Sequence, residues 1–337
     1  MNRLLLDRRQ FLVLGGAAAA VAAARPTVAV DKRPVHLAWF PRFSYDGKRL
    51  LSAHGNWKGS EGGEVVVWDS ETGKPLHEIP QPRGIRTVAW SSKAEFFLCG
   101  GYGGGVRYYV AETGKLLNEI KTGSQTEGLT VLSDDASFVS THGDGSVNLW
   151  DTVARKPVYT WKGLHKDGIW GMTVSSDDKL LATAGQDRTV RIVDLASRKV
   201  LHKLPHPAAA NGLAFTKDNR LLLTGCGDSI IRVFDVVSGD EVRQLKGHTS
   251  NTVTDLQFSK GGQLLVSAGG DGTVRLWDFA KPEAPELRDT LDAHDAMVFG
   301  VALSPDGQWL ASAGWDDRVR LWELATLKER WSAKRPA

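Results

Sequence analysis

Residues 312–323 read SAGWDDRVRLWE, and an earlier stretch at 267–278 reads SAGGDGTVRLWD. The two stretches keep the same order of small, acidic, aliphatic and aromatic residues, but Trp315 stands where the earlier copy has Gly270. Each stretch places a short polar turn between two runs of strand-forming residues, a pattern that indicates neighbouring antiparallel strands. The repeated pattern therefore indicates the fold.

The chain contains five more copies of the pattern. The aromatic or valine residue near the end of each copy falls at positions 68, 109, 150, 193, 234, 277 and 322, a spacing of 41 to 45 residues. Each copy has room for four short strands, and no helix of useful length is expected after residue 24. We predict an all-β fold, a seven-bladed β-propeller of four-stranded antiparallel blades, because this is the architecture that such a period indicates.

The copies resemble the repeats of the WD40 family. The signature dipeptide Trp-Asp stands at Trp68-Asp69, Trp150-Asp151 and Trp277-Asp278, and it is altered in the other four copies. The resemblance covers about residues 34–335, and we assign residues 34–337 to the propeller. It implies a closed ring of seven blades and, for function, a rigid surface that binds other molecules.

The resemblance also implies a buried hydrogen-bond chain in each blade, from a His through a Ser or Thr to an Asp, with a Trp at its end. Two copies carry the whole set: His248, Ser267, Asp271 and Trp277, and His294, Ser312, Asp316 and Trp322. Two others lack only the Trp: His165, Thr183 and Asp187, and His206, Thr224 and Asp228. The third copy keeps Ser140 or Thr141, Asp144 and Trp150, and we expect the first two copies to lack the chain.

A His, a Ser and an Asp together also suggest a catalytic triad. The set recurs from blade to blade, so its role must be one that every blade needs. A buried polar group is tolerated when its hydrogen bonds are satisfied, and each such bond contributes about 0.5–1.5 kcal/mol. We therefore interpret the set as structural and predict no catalytic residue.

The first 24 residues read MNRLLLDRRQFLVLGGAAAAVAAA. Arg8 and Arg9 precede an apolar run that is too short to span a bilayer easily and ends in small residues, as an export signal does. The DRRQFLV segment resembles the twin-arginine export signal, although Asp7 and Val13 depart from it. We predict an export signal at 1–24, a linker at 25–33 and a periplasmic or extracellular location. A retained membrane anchor and a cytosolic protein with a chance apolar start are the alternatives.

Composition restricts the partner and the chemistry. Removal of residues 1–24 takes away three arginines and one aspartate and lowers the formal net charge from +3 to +1. A nearly neutral surface does not favour nucleic acid, and we expect no membrane span after cleavage. Cys99 and Cys226 lie in apolar runs and are expected to be buried free thiols. No CxxC spacing is present, so we predict no metal site and no cofactor.

Function should lie where the copies differ. The top face is defined here as the end of the ring at which the second strand of each blade meets the third. Two positions in each copy should point to this face and to the channel mouth, and in several copies they hold aromatic or arginine side chains, which are typical of binding hot spots. The candidate partner-binding residues are Trp39, Trp57, Arg86, Tyr102, Trp170, Phe299 and Trp315. Ordinary packing, of Trp39 in particular, is the competing interpretation.

We predict a non-catalytic scaffold that binds a protein or peptide through the top face. A glycan is the alternative ligand, because flat aromatic faces stack on sugar rings and Trp adds an N–H donor. A propeller enzyme of quinoprotein or hydrolase type is less favoured, because the predicted channel positions contain no acid and no His. We expect the C-terminal segment LKERWSA (327–333) to complete the last blade, with TVAV (27–30) as its competitor.

Overall fold

The computed structural model describes residues 37–56, 61–250 and 252–335, and every regular element in these ranges is a β-strand. The strands form seven sheets, and each sheet contains four antiparallel strands that follow one another in the chain. This confirms the predicted all-β, seven-bladed propeller. Blade 1 comprises β1–β4, and each later group of four strands forms the next blade.

The strands of blades 1 to 4 are β1 (Leu37–Phe43), β2 (Arg49–Gly55), β3 (Gly63–Asp69), β4 (Pro75–Gln81), β5 (Ile85–Trp90), β6 (Phe96–Gly101), β7 (Gly105–Val110), β8 (Leu116–Lys121), β9 (Thr126–Val131), β10 (Ser137–His142), β11 (Val147–Asp151), β12 (Lys156–Trp161), β13 (Ile169–Val174), β14 (Leu180–Gly185), β15 (Thr189–Asp194) and β16 (Val200–Pro205). Those of blades 5 to 7 are β17 (Ala210–Phe215), β18 (Leu221–Cys226), β19 (Ile230–Asp235), β20 (Glu241–Lys246), β21 (Val253–Phe258), β22 (Leu264–Gly269), β23 (Thr273–Asp278), β24 (Glu286–Asp292), β25 (Val298–Leu303), β26 (Trp309–Gly314), β27 (Arg318–Glu323) and β28 (Glu329–Lys334).

The first strands of the blades form the inner wall of the ring. Each packs against the first strand of the next blade, and β25 of blade 7 packs against β1 of blade 1. In blade 7 the first strand, VFGVAL, is buried along its whole length, whereas the fourth strand, ERWSAK, is exposed or half-buried. Burial therefore decreases from the channel to the rim, which explains why polar and charged residues concentrate in the fourth strands.

The turn between the second and third strands requires a residue in the left-handed region. Gly272 fills this position in blade 6 with φ of 81°, and Asp317 fills it in blade 7 with φ of 60°. Aspartate tolerates this conformation better than most residues with a side chain. Asp317 can therefore replace the Gly272 of the blade 6 turn. Gly270 is not in the left-handed region, so its position also accepts a side chain, and blade 7 places Trp315 there on the top face.

A recurring contact near the rim joins four of the blades to the blade that follows. In four blades the third residue of the fourth strand reaches a backbone carbonyl in the following blade, between that blade's third and fourth strands. These contacts are His77 Nε2 with Glu112 O at 2.8 Å, His202 Nε2 with Val237 O at 3.1 Å, Arg243 Nη1 with Pro282 O at 2.7 Å, and Trp331 Nε1 with Ser70 O at 3.0 Å.

The Trp331 contact closes the ring between blades 7 and 1. Among the described residues no strand is shared between these two blades, since β25–β28 form one sheet and β1–β4 another. The Trp331 ring lies 6.2 Å from that of Trp68, within an apolar cluster built from both blades. The structure thus confirms that the C-terminal segment supplies the fourth strand of the last blade. The competing TVAV segment lies outside the described residues.

Candidate functional site

The predicted hydrogen-bond chain is complete in blades 6 and 7. In blade 6, Trp277 Nε1 donates to Ser267 Oγ at 2.9 Å, Ser267 Oγ lies 2.8 Å from His248 Nε2, and His248 Nδ1 lies 3.0 Å from Asp271. Blade 7 repeats the arrangement with Trp322, Ser312, His294 and Asp316 over distances of 2.8 to 3.0 Å. Both serines are fully buried, so a substrate cannot reach their hydroxyl groups.

Blade 4 has the shortened chain that the sequence predicts. His165 Nε2 lies 2.9 Å from Thr183 Oγ1, and His165 Nδ1 lies 2.9 Å from Asp187 Oδ1. Burial would raise the pKa of Asp187, but hydrogen bonds from His165 and Thr189 outweigh it and lower that pKa to about 2. Burial lowers the pKa of His165, against the opposing effect of Asp187. At neutral pH the chain therefore contains a carboxylate and a neutral imidazole.

Blade 5 departs from the prediction at Asp228. His206 Nε2 lies 2.8 Å from Thr224 Oγ1, as expected, but His206 Nδ1 lies 3.1 Å from the carbonyl oxygen of Leu204, two residues earlier. Asp228 instead accepts two hydrogen bonds from Arg232, four residues later. A bidentate pair between an arginine and a carboxylate is among the stronger polar contacts, and in blade 5 it stands in place of the contact between Asp and His.

The prediction that the first copy lacks the chain is wrong. In blade 1, Trp68 Nε1 donates to Ser52 Oγ at 2.7 Å and Ser52 Oγ lies 2.8 Å from His54 Nε2. The carboxylate comes from the neighbouring blade, because His54 Nδ1 lies 3.2 Å from Asp317 Oδ1 of blade 7. This contact is a second link across the junction that closes the ring.

Blade 3 also contains a histidine that the sequence analysis missed. His142 Nε2 lies 2.9 Å from Ser140 Oγ, which accepts a hydrogen bond from Trp150 Nε1 at 2.8 Å. Asp144 bonds to Ser146 instead of the histidine. In both blades the His follows the Ser by two residues on one strand, so the two side chains share a face. The S-x-H spacing is the signal that could have revealed them.

Blade 2 lacks the chain, as predicted, and uses other groups. Cys99 occupies the position of the serine, and Gln81 Nε2 donates to Tyr109 Oη at 2.8 Å. Cys99 and Cys226 are both free and buried, which confirms the interpretation of the thiols. Burial raises the pKa of Cys99 to about 12, so the thiol is not reactive at neutral pH.

The described part of the chain holds no cluster of three or more His, Cys, Asp or Glu side chains able to bind a metal ion. It also holds no helix with the length and apolar character needed to cross a bilayer.

Five of the candidate residues form a continuous row across blades 7, 1 and 2. Trp315 stacks on Phe299 with ring centroids 5.7 Å apart, and Phe299 lies 4.2 Å from Trp39. The Arg86 guanidinium lies 4.6 Å from the Trp39 ring, and its Nη1 donates to Tyr102 Oη at 3.2 Å. We call Trp315, Phe299, Trp39, Arg86 and Tyr102 the aromatic row.

The members of the row differ in exposure. Trp39 and Phe299 are 5% and 8% exposed and belong to the apolar core between the blades, so both are packing residues as well as members of the row. Trp315, Arg86 and Tyr102 are half-buried and offer the accessible surface. Trp170 is half-buried and lines the central cavity on blade 4, away from the row. Trp57 lies outside the described residues.

The expectation of a channel without acids is wrong. A central cavity of about 40 Å³ is lined by residues of six blades, among them Glu127 and Asp255. Each carboxylate faces an arginine: Glu127 Oε2 lies 2.8 Å from Arg86 Nε, and Asp255 Oδ2 lies 3.5 Å from Arg42 Nη1. In the third and sixth copies the channel positions compared with Arg86 are Gly128 and Thr254, and each acid is the residue next to one of them, so neither acid was expected.

Two buried polar atoms of blade 1 lack a hydrogen-bond partner among the described residues. They are Trp39 Nε1, in the row, and Asn56 Oδ1, at the top of the same blade. Asn56 is next to the row, since the backbone of Asn56 and the ring of Tyr102 both approach Gly84 closely. A buried polar group without a partner costs about 1–3 kcal/mol, so this sector contains two groups whose bonding is incomplete among the described residues.

The family model described as "WD domain, G-beta repeat" matches residues 155–194, 198–235, 239–278 and 285–323. Four of the seven repeats therefore match the WD40 repeat model. Each matched WD40 segment starts near or within the fourth strand of one blade and ends with the third strand of the next, so it links two sheets. These four segments contain the four histidines that precede a first strand. The histidines of blades 1 and 3 are at a different position.

Three curated relatives share part of the sequence. The chain is 28% identical over 161 residues to the "WD repeat-containing protein srw1" of Schizosaccharomyces pombe, covering 46% of this chain and 28% of the relative. It is 28% identical to the "Guanine nucleotide-binding protein subunit beta" of Lymnaea stagnalis, covering 42% of each chain. It is 28% identical to the "Anaphase-promoting complex subunit cdh1" of Dictyostelium discoideum, covering 37% of this chain and 17% of the relative. Less than half of each relative is aligned.

Proposed function

We propose that the chain is an exported, non-catalytic WD40 scaffold whose seven blades present the aromatic row on the top face to a protein or peptide. The observation that supports this proposal is the continuity of the row, in which side chains from three blades touch one another. Trp, Tyr and Arg are the residues most enriched at binding hot spots. The buried serines of the hydrogen-bond chains argue against catalysis by those groups.

The names of two relatives also support a role as a scaffold. One is named as a subunit of a guanine nucleotide-binding protein, and another as a subunit of the anaphase-promoting complex. Both names describe proteins that work within a larger assembly. We carry only this general role over to the present chain and leave the partners of the relatives aside.

A glycan is the second candidate ligand, because Trp315 and Tyr102 are half-exposed and aromatic faces stack on sugar rings. A glycan also needs several free polar side chains that bond its hydroxyl groups. In the row, Arg86 already contacts Tyr102 and Glu127, so that peptide binding is the better supported of the two.

The double variant Trp315→Ala/Tyr102→Ala should lose the partner. Truncation of hot-spot side chains costs about 2 kcal/mol or more, which corresponds to a loss of at least about tenfold in affinity. The measurement is quantitative affinity capture from an extract of the producing cells, followed by binding of the purified partner. A glycan array probed with both proteins tests the second candidate.

Tyr45→Ala is the matched control for this variant. Tyr45 is 65% exposed and lies between β1 and β2, at the opposite end of the ring. The Tyr45→Ala variant should bind the partner with the same affinity as the parent protein. Equal capture by the parent and the double variant, with both melting alike, would rule out the aromatic row as the binding surface.

We also propose export through the signal at residues 1–24, on the strength of the sequence MNRLLLDRRQFLVLGGAAAAVAAA. Mass spectrometry of the protein recovered outside the cytoplasm should then find an N-terminus close to Arg25. Replacing both Arg8 and Arg9 with Lys should retain the precursor inside the cell. An intact Met1 terminus on the native protein would contradict cleavage, and normal export of the double-lysine variant would contradict the twin-arginine route.

A further inference from the structure

Arg86 is the one charged member of the aromatic row, and its charge is held by contacts from three blades. It lies on β5 of blade 2, over the Trp39 ring of blade 1, and Glu127 of blade 3 lies 2.8 Å from its Nε. Burial acts to lower the pKa of Arg86, but the Glu127 carboxylate outweighs this effect and keeps the pKa above its usual value. The guanidinium is therefore a permanent cation.

Glu127 is almost completely hidden. Its side chain is 2% exposed, against 16% for Arg86, and its other oxygen, Oε1, accepts a hydrogen bond from Gln125 Nε2 at 2.6 Å. A buried carboxylate at this distance neutralises the arginine more effectively than a surface ion pair does, because water screens the buried pair less. A ligand reaching the row thus meets the accessible edge of an arginine whose charge is already balanced.

This balance determines which partner side chains the row can accept. A charged side chain entering the row would lose its hydration, and the only charge within the row as described, that of Arg86, is already balanced by Glu127. An apolar side chain avoids this cost. An aliphatic or aromatic side chain would instead extend the stack formed by Trp315, Phe299 and Trp39. The rings supply the contact area, and Arg86 supplies a flat surface without net charge.

We infer that Glu127 determines the specificity of the row: by neutralising Arg86 it selects partners that insert an uncharged, apolar side chain, and its loss would turn the row into a site for an acidic side chain. The inference rests on the proposed function. It adds the class of anchor residue and a specificity residue that does not itself touch the partner.

The test uses a displayed library of random heptapeptides, selected on the parent protein and counter-selected on Trp315→Ala/Tyr102→Ala. The parent should enrich peptides with Leu, Ile, Phe, Tyr or Trp at one recurrent position. A synthetic peptide of the selected sequence should bind at least about tenfold more tightly than its copy with Asp at that position. Selection of acidic or basic anchors by the parent would overturn the inference and leave peptide binding intact. A failure to select any peptide that depends on the row would count against the proposed function itself.

The second part of the test uses the variant Glu127→Gln, because this change removes the negative charge of the side chain and nearly preserves its shape. The Asp-containing peptide should bind this variant at least about tenfold more tightly than it binds the parent, and the apolar peptide should not gain. Glu119→Gln is the matched control: Glu119 lies 2.8 Å from Arg107 in the same blade as Arg86, outside the row. The Glu119→Gln variant should bind both peptides with the same affinities as the parent protein. Unchanged preference in a folded Glu127→Gln protein would overturn the specificity role.

Discussion

Replacing Trp331 with alanine is expected to lower the free energy of unfolding by about 3 kcal/mol, the lower end of the range for truncating a large aromatic in a packed site. Trp331 packs on Trp68 and donates a hydrogen bond to Ser70 O across the junction between blades 7 and 1. Every described contact across this junction is made by side chains or by backbone packing, because no strand is shared. Urea unfolding followed by circular dichroism measures the loss.

Arg243→Ala is the control, because Arg243 occupies the equivalent position in blade 5 and donates to Pro282 O from an exposed site. It buries no ring against the next blade, so the variant should change the free energy of unfolding by no more than about 0.5 kcal/mol. A Trp331→Ala protein that unfolds within 1 kcal/mol of the parent would show that the closing contact contributes little.

Among single glycine-to-alanine changes in the inner wall, Gly171→Ala is expected to lower the free energy of unfolding most. A Cβ at position 171 on β13 would lie 1.6 Å from the backbone carbonyl oxygen of Asn211 on the neighbouring β17. A backbone atom cannot move away as a flexible side chain can, so blades 4 and 5 would have to separate. We expect a loss of at least about 3 kcal/mol, at the upper end of the usual cost of overpacking, measured by the same unfolding experiment.

Gly261→Ala is the corresponding control. A Cβ at position 261 meets no atom within 4 Å, and the backbone there is not in the left-handed region. This variant should be neutral or slightly stabilising, because alanine reduces the freedom of the unfolded chain. Equal stability of the Gly171→Ala and parent proteins would mean that the two inner strands can separate at no cost.

The period of the repeats was enough to predict the ring, because seven copies spaced by 41 to 45 residues leave little choice of architecture. The hydrogen-bond chains of blades 6 and 7 were expected from the resemblance to the WD40 repeat, because both copies contain its His, Ser, Asp and Trp in order. In blade 1, His54 uses Asp317, which is far away in the sequence and adjacent only after the ring has closed. No local pattern indicates such a pairing.

In the candidate site, too, some features could be predicted from the sequence and others could not. Alignment of the copies correctly placed Trp39, Arg86, Tyr102, Phe299 and Trp315 in adjacent blades, because equivalent positions of neighbouring blades lie side by side. It did not indicate burial, and Trp39 and Phe299 proved to belong to the core. It also missed Glu127, because the third copy was compared at Gly128, one residue too late. The register shift of the first strand falls at Arg86 in β5 and at Glu127 in β9, so these two residues are equivalent.

Each sheet is made from one uninterrupted piece of chain, and this bears on how the molecule can be rearranged. A new pair of chain ends placed in any of the short links between described blades, such as residues 82–84, would leave all seven sheets with their own four strands. A permuted chain would therefore begin with a different blade, while the order of the blades around the ring would stay the same. Circular permutants, cut between blades and joined at the former ends, offer a way to examine each junction in turn.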